Sequence, residues 1–300
     1  MDTIPEHEVR GLRVILRALA VLSAFVHCAL AVYSVLKAVQ ALGAAPVYGF
    51  ALLAALFVFS CAAQCFYAYT TFREQALETF RQPCLVRSAE FAALAPLHVA
   101  LVASCVLVRD AQTLGLLAAA QTACVLVAFA LEYVLATYDI EDARDKTVLA
   151  TAQPELALPI ELSIGTIVRG PALDERFVCT HAQTAARAWH VCFCAALQLH
   201  VAVWAVLANQ LLASEAAVCA TARDAGACQT QLRLLVGGQC ALFSCFALVP
   251  LLQWSWMWAG EADASAAFLY GSVLYAVLSL VAKSLLAASY VAFVELFPYA

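Results

Sequence analysis

The sequence predicts an all-α membrane protein, a seven-transmembrane helix bundle with its N-terminus in the cytoplasm. Hydrophobic residues make up 65% of the 300 residues and charged ones 12%, where a soluble domain is roughly half apolar and about a quarter charged. The mean hydropathy is +0.87. Seven stretches reach the roughly 20 mostly apolar residues that a helix needs to cross the hydrocarbon. None alternates as a barrel strand does, and a backbone in lipid must satisfy its own hydrogen bonds, so each is expected as a helix.

The first span is expected at about 14–36. The chain before it carries Asp2, Glu6 and Glu8 as well as Arg10, Arg13 and Arg17, and the apolar run is long enough to stay as a span, so no cleavable signal peptide is expected. The second span is expected at 47–72. The third, at 84–108, follows Pro83, which suits a first helical turn because the N–H it lacks would be unpaired there anyway. The fourth covers 111–132. A connection at 138–187 then departs from the short loops: it opens with the charge cluster YDIEDARDK, contains Pro154, Pro159 and Pro171, and is expected as an inner connector with a short surface helix near 159–168. The fifth, sixth and seventh spans are expected at 188–213, 234–259 and 265–294. No internal repeat supports a solenoid or an inverted-repeat transporter, and 1–300 reads as one domain.

Orientation follows from Lys and Arg, which concentrate on cytoplasmic flanks. With the N-terminus inside, the short inner flanks hold Arg10, Arg13, Arg17, Arg73, Arg81 and Arg87, and the long inner loop adds Arg144, Lys146, Arg169, Arg176 and Arg187. The outer side holds Lys37, Arg109, Arg223 and Arg233. The expected location is a multi-pass position in the lipid bilayer of the plasma membrane, and no nucleic-acid partner is expected.

The 13 cysteines are an odd count, which excludes complete pairing. Most lie in spans, where a thiol behaves as a small apolar side chain. Cys219 and Cys228 share the outer loop EAAVCATARDAGACQTQ on the oxidising side, where a disulfide and two free thiols are both open. No cysteine or histidine spacing fits a zinc site, and the pair in CFC, Cys192 and Cys194, is poorly placed on one helix face.

The seventh span contains one charge that does not belong in lipid. Lys283 stands in YAVLSLVAKSLLAASYVAFVELF, about ten or more residues from either end of its span, too deep at 1.5 Å per residue to snorkel to water. Ionisable groups at membrane depth mark function and need a partner. The clearest partner is Glu90 in LVRSAEFAALAPLHVALV, some two turns in from the inner face. Helical side chains lean toward the N-terminus, so Lys283 bends toward the level of Glu90. The pair serves either as an ion pair, structural or on a proton path, or as an amine that condenses with an aldehyde to a Schiff base, with the carboxylate as counterion. Ser279 lies one turn before Lys283 on the same face, and Arg87 lies three residues before Glu90.

Seven spans with a lysine in the last and an acid in the third resemble the retinal-binding microbial rhodopsins, and the details most resemble the heliorhodopsins, whose orientation is inverted. YGSVLYAVLSLVAKSLLA at 270–287 resembles that family's seventh helix, RSAEF at 87–91 its third-helix signature, and LLQW at 251–254 a segment of its sixth. The likeness extends loosely over all seven spans. It implies that Lys283 holds all-trans retinal, that Glu90 is the counterion and that Ser279 bridges them. It implies further that His27 belongs to a polar pocket on the inner side, that Gln253 and Trp254 belong to the retinal pocket, and that the protein is a homodimer signalling light to a cytoplasmic partner rather than an enzyme. Independently, Trp254, Trp256, Trp258, Tyr270 and Phe66 offer rings for an apolar slot, although packing or interface anchoring is the commoner use of any one.

The sequence also departs from the family. Ser88 stands where an aromatic commonly follows the arginine, Pro250 stands where an asparagine is usual, and the loop 138–187 is longer than expected. Polar residues lie deep in the spans at His98, Gln121, His190, Gln198, His200, Asn209 and Gln239. Singly, each is more often a helix-contact residue than a relay member. Together they raise a light-gated passive proton channel as the alternative to a sensor, with a retinal-free seven-helix receptor or transporter as a third class.

Overall fold

The structure, a computed structural model, describes residues 6–41, 47–72, 85–137, 175–259 and 264–297. Among these, seven helices are long and apolar enough to cross a membrane, and there is no strand. They are α1 (Glu6–Gln40), α2 (Val47–Phe72), α3 (Leu85–Cys105), α4 (Ala111–Thr137), α5 (Glu175–Cys219), α6 (Ala225–Ala259) and α7 (Ala264–Val294). Each helix packs on the next and α7 packs back on α1, closing a ring, while α3 also touches α5 and α6.

Two helices exceed their expected spans. α5 starts at Glu175 rather than 188, so the last part of the connection expected at 138–187 is helical, and α6 starts at Ala225 rather than 234. Polar side chains such as Gln229, Gln231 and Arg233 end an apolar run but not a helix, whose backbone bonds do not depend on them. Asp224 caps α6 by accepting from Ala227 N at 3.0 Å, which pairs an amide that has no partner within the helix. The surface helix expected near 159–168, like Pro83, lies outside the described residues.

The α3–α4 turn shows local geometry set by tertiary packing. Val108 N bonds back to Ala103 O at 3.0 Å and Leu107 N to Ser104 O at 3.3 Å, the paired bonds of a Schellman helix end. The residue in the left-handed position is Leu107, at φ 60°, where glycine is usual and leucine costs roughly 1–2 kcal/mol. Ser214 of α5 donates to Val106 O at 2.9 Å, and Leu107 packs against the core, so neighbours hold the turn. At the same end Cys219 and Cys228, both buried, form a disulfide joining α5 to α6 with Cα atoms 5.7 Å apart.

In lipid the helices gain little from apolar burial against one another and depend on close packing and polar links. The Tyr290 phenol of α7 occupies the space that a Cβ at Gly49 of α2 would fill, and Gln253 of α6 does the same at Gly271 of α7. These contacts draw α7 against both neighbours and so position its buried face.

Candidate functional site

That face carries Ser272, Tyr275, Ser279, Ala282 and Lys283, all buried, because positions three and four apart share one side of a helix. Lys283 is 2% exposed and its ammonium is paired with Glu90 Oε1 of α3, itself 7% exposed. Two residues of α2 complete the carboxylate's bonding. Ser60 Oγ donates to Glu90 Oε1 at 3.3 Å and Gln64 Nε2 donates to Oε2 at 3.0 Å. Lys283 Nζ also lies 5.7 Å from the centre of the Phe91 ring, a favourable cation–π distance. A buried ion pair is tolerated only when its remaining lone pairs find donors, and here both carboxylate oxygens have them.

Arg87 is engaged with α7. Its Nη1 donates to Ser272 Oγ at 3.1 Å, and its guanidinium lies 4.3 Å from the centre of the Tyr275 ring. The bridge expected of Ser279 is not formed: Ser279 Oγ is buried without a hydrogen-bond partner. The ammonium meets Glu90 directly and α2 supplies the carboxylate's other donors, so no gap is left for the hydroxyl to span.

A cavity of about 130 Å³ opens against Lys283 and Ser279. Its wall is mostly apolar, with Phe91, Phe129, Phe193, Phe243, Phe246 and Tyr275 as its rings, and Pro250 makes its α6 margin. Gln253 and Trp254 lie beyond that margin. Gln253 is buried and donates to Ala267 O at 3.3 Å, tying α6 to α7, while Trp254 stacks on Trp189 at 4.8 Å. Neither is among the residues that line the cavity. Of the other expected rings, Trp256 packs on Tyr270 at 5.8 Å and Phe66 faces outward. Trp258 has no described side chain.

His27 is fully buried beside Phe57, within electrostatic reach of Lys283, and neither ring nitrogen has a hydrogen-bond partner. Among the deep polar residues, His98, Gln121, His200 and Gln239 are buried, whereas His190, Gln198 and Asn209 are exposed on the bundle's outer surface. Gln239 Nε2 reaches Ala282 O, next to Lys283, at 3.4 Å. Sequence reasoning missed Ser60 and Gln64; the available signal was their spacing, two polar residues four apart on one face of an otherwise apolar span. No group of three or more potential metal ligands occurs among the described residues.

The arrangement is that of a primary amine in an apolar, ring-lined cavity beside a carboxylate held by two further donors. Glu90 can balance a positive charge formed at the lysine nitrogen, and an amine so placed can condense with an aldehyde, releasing water. Comparison with protein-family models finds none that matches, and comparison with curated proteins finds no match either.

Proposed function

We propose that the protein is a light-sensing membrane photoreceptor of the heliorhodopsin kind, holding all-trans retinal on Lys283. The observation that carries this reading is the position of Lys283, paired with Glu90 at membrane depth and opening on an aromatic-walled cavity. The unpartnered Ser279 hydroxyl in the same wall supports it, as a polar atom left for a bound group. When bound there, retinal would supply the absorption of visible light and a change of shape upon it.

The chain's own residues do the rest. Glu90 balances positive charge at the Lys283 nitrogen, Ser60 and Gln64 fix that carboxylate, and the rings exclude water, which strengthens the pairing. A change in the hold between Lys283 and Glu90 is felt by three helices together, because α2, α3 and α7 meet at this carboxylate. With the N-terminus cytoplasmic, such a shift is offered to a partner at the inner face, from a homodimer in the plasma membrane. Sites for ligands of this size run to roughly 300 Å³ or more, so uptake requires wall side chains such as Phe243 or Phe246 to swing aside.

The test is a visible absorption spectrum of the chain expressed with all-trans retinal, with and without hydroxylamine. Lys283→Ala should abolish the visible band, since Lys37 and Lys146 are the only other lysines. A hydroxylamine-sensitive band persisting in that variant would sink the assignment, and a colourless wild-type chain would favour a retinal-free receptor or transporter. One observation favours the passive proton channel as a second reading: His98, Gln121 and His200 line the same cavity as Lys283.

A further inference from the structure

The cavity has a polar stretch besides the Lys283 pair. His98 of α3 is 3% exposed and Gln121 of α4 is 2% exposed; both line the cavity, and His98 Nε2 and Gln121 Oε1 have no hydrogen-bond partner. The two helices run antiparallel through the turn at 106–110, with α3 ending at Cys105 and α4 starting at Ala111. At 1.5 Å per residue, His98 lies ~10 Å and Gln121 ~15 Å from that turn, so they face neighbouring levels of one cavity. His200 is satisfied by comparison. Its Nε2 is 3.0 Å from Ser244 Oγ, which donates to Cys240 O at 2.8 Å, so the imidazole N–H is the donor between them.

Buried polar atoms are rarely left unpaired in native interiors, and besides Ser279 Oγ the cavity holds these two, which one partner can serve together. Gln121 Oε1 can only accept, whereas His98 Nε2 donates when it carries the ring proton. A hydroxyl oxygen meets both needs at one atom. An ammonium group cannot accept, and a carbonyl cannot donate. We propose that His98 and Gln121 form a subsite for a single hydroxyl oxygen, whose O–H donates to Gln121 Oε1 while its lone pair accepts from His98 Nε2–H. Two sources carry that chemistry, a resident water and a hydroxyl on the ring of an oxygenated retinoid; the second rests on the retinal reading above.

Two measurements separate these sources. The first compares all-trans retinal with ring-hydroxylated 3-hydroxyretinal in the full chain carrying Lys283→Ala, which cannot condense, by quenching of tryptophan fluorescence. The second is a high-resolution experimental structure of the retinal-free chain. A retinoid source predicts that the hydroxylated form binds about 2- to 10-fold more tightly, and that Gln121→Leu or His98→Phe, each checked for unchanged helix content, removes the preference. A resident water predicts equal affinities and an oxygen within hydrogen-bond distance of both atoms. Equal affinities with no such oxygen overturn the subsite. If neither aldehyde binds or colours the wild-type chain, the photoreceptor reading falls, and the oxygen alone then decides the subsite.

Discussion

Glu90 is the residue on which the site's charge balance turns. It accepts from Lys283, Ser60 and Gln64, and an amide in its place keeps the shape but loses the charge. On the retinal reading, Glu90→Gln should therefore shift the visible band strongly to the red, or cause the band to be lost on alkaline titration at a lower pH than in the wild type. A spectrum and titration identical to wild type would place the counterion elsewhere. The retinal-free chain allows an independent check. Removing one partner of a buried pair costs about 3–5 kcal/mol, whereas replacing both by apolar groups of similar volume is often close to neutral. Thermal unfolding should thus show Glu90→Gln markedly less stable than wild type and a Glu90→Leu, Lys283→Met double variant closer to it. Equal losses in the two would mean that the pairing is not what the substitution removes.

At the scale of the element, helix ends and helix faces obey different constraints. α4 begins at a cap: Asp110 Oδ2 accepts from Thr113 N at 2.7 Å and from Thr113 Oγ1 at 2.6 Å. The Thr113 hydroxyl first, and its backbone N–H second, hold the Asp110 carboxyl below its ordinary 3.8. A carboxyl lowered by folding contributes stability that is present above its unfolded value and is lost as pH falls through its folded value. Asp110→Asn keeps an acceptor at the cap but removes the titration. Melting temperatures across pH 2–6 should therefore show wild type losing more stability on acidification than Asp110→Asn, by a small margin because the group is exposed. Parallel curves would show that the cap does not depend on the charge. Faces, in contrast, depend on partners. Ser60 and Gln64 are ordinary polar residues until α2 turns them toward Glu90, and Leu107 holds a left-handed conformation because α5 and the core secure its turn.

For the whole molecule, the closed ring of helices places one carboxylate at the meeting of α2, α3 and α7, beside a cavity bounded by α3 to α7. A sensor needs only that this junction move, whereas a channel needs a continuous polar path to both sides. Two of the buried polar groups are taken up in contacts of their own, His200 with Ser244 and Gln239 with Ala282 O. On the sensor reading, whole-cell recordings under illumination should show no steady photocurrent at any voltage while the colour change still cycles. A steady current reversing at the proton equilibrium potential would establish the channel.

The sequence alone determined the seven spans and singled out Lys283 and Glu90, because the cost of exposing backbone or charge to hydrocarbon is large enough to be read from composition and position. It could not determine which polar side chains turn inward. His98 and Gln121 face the cavity while Gln198 and Asn209 face out, although all four look alike in apolar runs, since rotation of a helix about its axis is set by its neighbours. Nor could it place Gln253 and Trp254 beyond the cavity margin at Pro250, or bring Ser60 and Gln64 of α2 onto a carboxylate 26 to 30 residues away. Those outcomes depend on how surfaces distant in sequence fit together, as where Tyr290 and Gln253 fill the space that a Cβ at Gly49 and Gly271 would take, a fit that exists only once the ring has closed.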